Sequence, residues 1–84
     1  MKLQLILVDQ CSACKQSERL WHDLSQEYGV SFEVLRLTEP DGQRLAETLS
    51  LKTFPALLVD GTTRLVGTPS RESARALLER LVAN

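Results

Sequence analysis

Leu3-Gln4-Leu5-Ile6-Leu7-Val8-Asp9-Gln10-Cys11-Ser12-Ala13-Cys14 is the stretch on which the reading of this chain turns. Its first six residues are a short apolar run closed by an acid, the pattern of a buried strand over 3–8. Beyond Cys14 the apolar positions Leu20, Trp21, Leu24 and Tyr28 recur at spacings of three and four residues, which predicts a helix over 12–28 with one face in the core. Gly29 stands where such a helix needs a C-cap. The only two cysteines of the chain therefore fall three positions apart where a strand hands over to a helix. Two thiols in that setting form a dithiol that closes into a disulfide and opens again.

Composition narrows the function classes. The 84 residues leave room for one domain, residues 1–84, with one modest core. The apolar share of 43% and charged share of 25% are those of an ordinary globular protein. Formal net charge is −1, with lysines and arginines scattered along the chain, so no basic stripe points to nucleic acid or an anionic membrane. The N-terminal apolar run is broken by Gln4, closes at Asp9 and meets no small-residue cleavage site. No run is long enough to span a bilayer. The expectation is a reducing, cytoplasmic location. There a lone CxxC is catalytic or metal-binding in preference to a structural staple, and closing so short a loop removes little entropy from the unfolded chain.

Outward from the cysteines, Phe32 to Leu37 reads as a second strand. Thr38-Glu39-Pro40-Asp41 reads as a helix start, with Thr38 as N-cap, Pro40 in the first turn and Asp41 as an early acid; Leu45, Ala46 and Leu49 face inward. Ala56 to Val59 is a third strand, Asp60-Gly61 a hairpin signal and Arg64 to Val66 the returning fourth. Thr68-Pro69 is expected to open a last helix with Ala74, Leu77, Leu78 and Leu81 on one stripe. The order is β-α-β-α-β-β-α. Its opening favours parallel pairing through a crossover and its closing hairpin adds antiparallel strands. The predicted architecture is α/β, a mixed four-stranded sheet with helices on both faces.

That order, with a CxxC at the first strand–helix junction, resembles the thioredoxin fold in its compact, glutaredoxin-like size. Thr53-Phe54-Pro55 stands directly before the third strand, where this superfamily has a cis-proline facing the redox cysteines, and Lys15 directly after the second cysteine is similar to the thioredoxin pattern. The likeness covers essentially the whole chain. It implies that Cys11 is the attacking thiol, that Cys14 resolves the mixed disulfide, and that the Phe54–Pro55 bond is cis. It also implies that the backbone of Phe54, with Thr53 and Pro55, pairs with an extended segment of substrate. The helix N-terminus agrees with these roles: its free N–H groups and positive dipole end favour a thiolate, most of all at Cys11. Cys14, one turn on, is placed to be shielded. Ser12, Ala13 and Lys15 are the residues set to tune the pair.

Departures from the family pattern guide the choice of substrate. Thioredoxins carry a buried acid in the strand leading to the motif; here that strand offers Leu5, Ile6, Leu7 and Val8. The tryptophan that often precedes a thioredoxin's CxxC is Gln10. Glutaredoxins show Pro-Tyr between the cysteines and a Gly-Gly with an acid near the last helix; here stand Ser12-Ala13 and Gly67-Thr68-Pro69-Ser70. With the glutathione pocket incomplete, a protein disulfide is the favoured substrate. The expectation is a monomeric thiol–disulfide oxidoreductase with no bound cofactor beyond its redox-active Cys11–Cys14 disulfide. Electrons would come from a flavoprotein reductase or from glutathione as co-substrate.

A second class stays open. The same CxxC supplies two ligands to a metal ion or iron–sulfur cluster, and a dimer of such chains completes four. Within one chain zinc lacks its ligands, because there is no second CxxC and the single histidine, His22, lies about 16 Å of helical rise from Cys11. His22, Lys15 and Arg19 read as a solvated helix face, Asp9 as a strand-ending residue pointing to water, and Trp21 as core.

Overall fold

The hydrophobic pattern of the first strand sets the layers. In the structure, a computed structural model describing residues 1–83, β1 (Lys2–Leu7) is followed by α1 (Ser12–Tyr28), β2 (Ser31–Arg36), α2 (Pro40–Thr48), β3 (Ala56–Val59), β4 (Thr63–Val66) and α3 (Arg71–Ala83). The four strands form one sheet in the order β2-β1-β3-β4. β1 runs parallel to β2, with Leu3 opposite Phe32 and Leu7 opposite Arg36. β3 runs antiparallel to β1, with Ile6 opposite Ala56, and β4 returns antiparallel along β3. Asp60 and Gly61 both take positive φ, 53° and 74°, to make that return. The mixed sheet is the one expected.

Side chains alternate across a strand, so Leu3, Leu5 and Leu7 of β1 and Leu57 and Val59 of β3 share a face. On it they pack with Cys14, Leu20, Trp21 and Leu24 of α1 and Ala74 and Leu78 of α3. Removing each such leucine from water contributes about 1.5–3 kcal/mol, which seats α1 on the sheet. Gln4 and Leu35 point the other way and share a groove with Arg44, Leu45 and Thr48 of α2, so helices lie on both faces. Arg71 with Asp23 (3.2 Å) and Arg75 with Glu27 pair α3 to α1; these half-exposed pairs contribute little to stability. Among the described residues no helix is long and apolar enough to cross a membrane.

Two helix starts differ from the sequence expectation. Thr38 lies in a turn closed by the Glu39 N–H on the Arg36 carbonyl (2.9 Å), and the extended residue before α2 is Glu39, which makes no side-chain cap bond. Pro40 is the first helical residue: its ring presets φ, and its missing N–H needs no partner there. α3 begins at Arg71, not at Thr68-Pro69, and Ser70 Oγ accepts from the Ser73 N–H (3.1 Å) as its cap. Thr68 is not free to cap because its hydroxyl is bonded elsewhere.

Candidate active site

The dithiol is built by the cap of α1. Cys11 is the N-cap residue, extended at φ −125° and ψ 109°, and its sulfur accepts the Cys14 backbone N–H at 3.1 Å. A sulfur thus fills the place that a serine or aspartate oxygen takes at most helix starts. Gln10, directly before it, holds a positive φ of 55°, a conformation uncommon for a residue with a Cβ; it turns the chain from β1 into α1. At the far end of α1 Gly29 is left-handed and the Val30 N–H reaches back to the Ser25 carbonyl.

The two thiols, unbridged here, differ in exposure. Cys11 is half-buried, whereas Cys14 is 2% exposed. Burial pushes the Cys14 thiol above its ordinary value, and its hydrogen bond with Cys11 adds to the rise; the Val8 backbone and the positive charge of Arg36 pull the other way. The native state therefore holds this proton more tightly than the unfolded chain does. Its contribution to stability is complete below about pH 8.5, the unfolded thiol value, and is lost as pH rises through the higher native value. Thermal melts of the reduced protein from pH 7 to 10 are expected to show a decline that Cys14→Ala removes. A melting temperature that falls equally in both would contradict this.

Antiparallel pairing of Ile6 with Ala56 sets the start of β3 beside the end of β1, so Pro55 lies at the same end of the sheet as the Val8–Cys11 turn. The Phe54–Pro55 bond is cis and Pro55 is fully buried. Thr53 is exposed and Phe54 half-buried. Phe54 also borders an open, largely apolar groove of about 540 Å³ with Leu37, Ala46 and Leu51. Ser12 and Lys15 are exposed, and Ala13 is half-buried. His22 and Asp9 point to solvent, and Trp21 is in the core. Among the described residues, no three His, Cys, Asp or Glu side chains converge as metal ligands.

Two residues of this site were missed in the sequence. Thr68 Oγ1 donates to the Ala13 carbonyl at 3.0 Å and lies 2.6 Å from Ser17 Oγ. The adjacent Gly67 N–H donates to the Pro55 carbonyl at 2.9 Å. One two-residue segment thus ties the proline loop and the CxxC turn together. A signal existed for Ser17: it falls on the buried stripe of α1 between Cys14 and Trp21, where a hydroxyl needs a partner. Nothing local to Thr68 marked it.

Comparison with known proteins places the fold. The family model Thioredoxin_3, described as a thioredoxin domain, matches residues 1–79. No curated protein sequence matches the chain. Among solved structures, thioredoxin 1 of Thermosipho africanus TCF52B superposes with a TM-score of 0.79 at 20% identity, covering 99% of this chain and 96% of that one. Oxidised thioredoxin of Plasmodium falciparum gives 0.75 at 16% identity, over 95% and 79%. Oxidised thioredoxin O2 of Arabidopsis thaliana gives 0.76 at 18%, over 95% and 73%. These three likenesses carry the fold, and the family model carries the membership. The chain belongs to the thioredoxin-domain family, and that domain with two cysteines close together supports a thiol redox role.

Proposed function

We propose that the protein reduces disulfides, those of proteins foremost, through a mixed-disulfide intermediate. The observation that carries this is the Cys14 N–H donated to the Cys11 sulfur at 3.1 Å, with Cys14 itself buried beneath. The N–H offers a thiolate at Cys11 a fixed donor, and hydrogen bonds to charged groups are the strong ones. Exposure orders the two steps. The Cys11 thiolate attacks one sulfur of the substrate disulfide, forming a Cys11–substrate disulfide and releasing the other sulfur as a thiolate. Cys14 then loses its proton and attacks the Cys11 sulfur, closing Cys11–Cys14 and releasing the second substrate thiolate. Two electrons pass from the dithiol to the substrate, which leaves as two thiols after protonation.

The cis-proline loop supplies the docking edge in this reading. Pro55 has no N–H to donate, and Phe54 and Thr53 offer backbone to an extended substrate segment. A flavoprotein reductase or glutathione returns the two electrons. The protein works in this scheme as a monomer in the cytoplasm, with no resident cofactor.

Cys14→Ser tests the order of attack. With insulin as the disulfide substrate, this variant is expected to accumulate a stoichiometric mixed disulfide through Cys11, read as an added substrate mass that a reductant removes. Failure to accumulate it while the wild type turns over would overturn the assignment of the two roles.

A further inference from the structure

The peptide group between Ala13 and Cys14 is held at both ends. Its N–H, that of Cys14, donates to the Cys11 sulfur at 3.1 Å. Its carbonyl, that of Ala13, accepts the Thr68 hydroxyl at 3.0 Å. A carbonyl can only accept, so the single Thr68 proton is spent there. The contact between Ser17 Oγ and Thr68 Oγ1 (2.6 Å) must then take its proton from Ser17, which is fully buried. Every bond in the chain Ser17 hydroxyl, Thr68 hydroxyl, Ala13–Cys14 peptide, Cys11 sulfur runs in one direction, and it ends on the sulfur. Hydrogen bonds aligned in this way polarise one another, by roughly 10–30% per bond.

We infer that Thr68 is a positioning residue for the redox step, acting through the Ala13–Cys14 peptide to orient and strengthen the N–H that holds the Cys11 thiolate. The inference rests on the redox reading above and deepens it. Thr68 makes no bond to either sulfur among the contacts described; its influence travels through one peptide plane. Its neighbour Gly67, bonded to the Pro55 carbonyl, sets where the hydroxyl stands relative to the proline loop. The role also accounts for a threonine that follows a strand and precedes a proline yet does not cap the helix beyond it.

Stabilising the thiolate of the reduced form makes the disulfide a stronger oxidant. Losing the relay therefore moves the couple toward more negative potential and slows attack at neutral pH. Thr68→Val removes the hydroxyl at nearly constant shape, and Thr68→Ser restores it. In graded glutathione buffers, Thr68→Val is expected to shift the dithiol–disulfide equilibrium about twofold to fivefold, which is about 10–20 mV for a two-electron couple. Its Cys11 alkylation by iodoacetamide at pH 7 is expected to slow by a similar factor. Thr68→Ser is expected to match the wild type in both. Ser17→Ala, which leaves the Thr68–Ala13 bond in place, is expected to move both readouts the same way by less, and it serves should Thr68→Val not fold. A Thr68→Val protein with wild-type potential and alkylation rate would overturn the inference while the redox reading stands. So would a Thr68→Ser protein as impaired as the valine variant. A wild type that forms no Cys11–Cys14 disulfide in any buffer would overturn the redox reading, and the inference with it.

Discussion

Cys11→Ser is expected to bring disulfide reduction down to the uncatalysed background while leaving the fold intact. A serine oxygen caps a helix at least as well as a sulfur does, so the Cys14 N–H keeps a partner and the melting temperature is expected to change by no more than a few degrees, since cap exchanges of this kind are worth well under about 1 kcal/mol. Chemistry is what disappears. A serine hydroxyl is almost wholly protonated at neutral pH and cannot form a disulfide, so neither the mixed nor the internal disulfide can arise. Turnover of insulin by the variant, followed by the appearance of free thiols, checks this. Residual turnover well above background would place the attacking thiol at Cys14 and reverse the order derived from exposure.

Gly42→Ala is expected to cost about 2 kcal/mol of stability, although alanine is the better helix former. Gly42 is buried in the first turn of α2, and a Cβ built there would overlap the carbonyl oxygen of Arg36. That carbonyl belongs to backbone, at the end of β2, and is already engaged by the Glu39 N–H at 2.9 Å. It has no flexible side chain to swing aside, so α2 must move off the sheet. Overpacking costs about 1–3 kcal/mol and at times more; a clash with backbone that cannot yield lies at the upper end, about 3 kcal/mol, against a propensity gain of up to about 1 kcal/mol. For a domain of this size a net 2 kcal/mol lowers the melting temperature by about 8–16 °C. A variant that melts higher than the wild type would show that propensity dominates and that α2 does not press on the Arg36 turn.

What was legible in the sequence, and what was not, divides by the range of the interaction involved. The α1 helix announced itself locally: an apolar stripe at helical spacing, Gly29 at its end and Cys11 at its start, all within one turn of where they act. The β3–β4 return was equally local, since Asp60-Gly61 supplies both positive-φ residues. Parallel pairing of β1 with β2 followed from an intervening helix long enough to cross over. The helix starts of α2 and α3 differ from the sequence expectation because contacts outside the helices decide them. The turn closed on the Arg36 carbonyl takes Thr38 out of the cap position. A bond to Ala13, 55 residues away, engages the Thr68 hydroxyl, and α3 starts beyond it. The overlap that demands a glycine at position 42 is likewise a meeting of α2 with the end of β2, visible only once the two are packed. Within the site, the cysteines and the Thr53-Phe54-Pro55 loop were legible as motifs, while the hydroxyl relay behind them was not.

Redox titration of the two thiols decides whether they form a disulfide couple. The wild-type protein is equilibrated anaerobically in glutathione buffers of graded potential, quenched with an alkylating agent and weighed. Two populations only are expected, a doubly alkylated dithiol and an unalkylated disulfide form that has lost two hydrogens, interconverting over a single two-electron transition. A protein that stays doubly alkylated in every buffer, or that carries stoichiometric metal or a visible chromophore on its cysteines when purified without oxygen, would contradict this and put the cysteines to work as ligands shared between two chains.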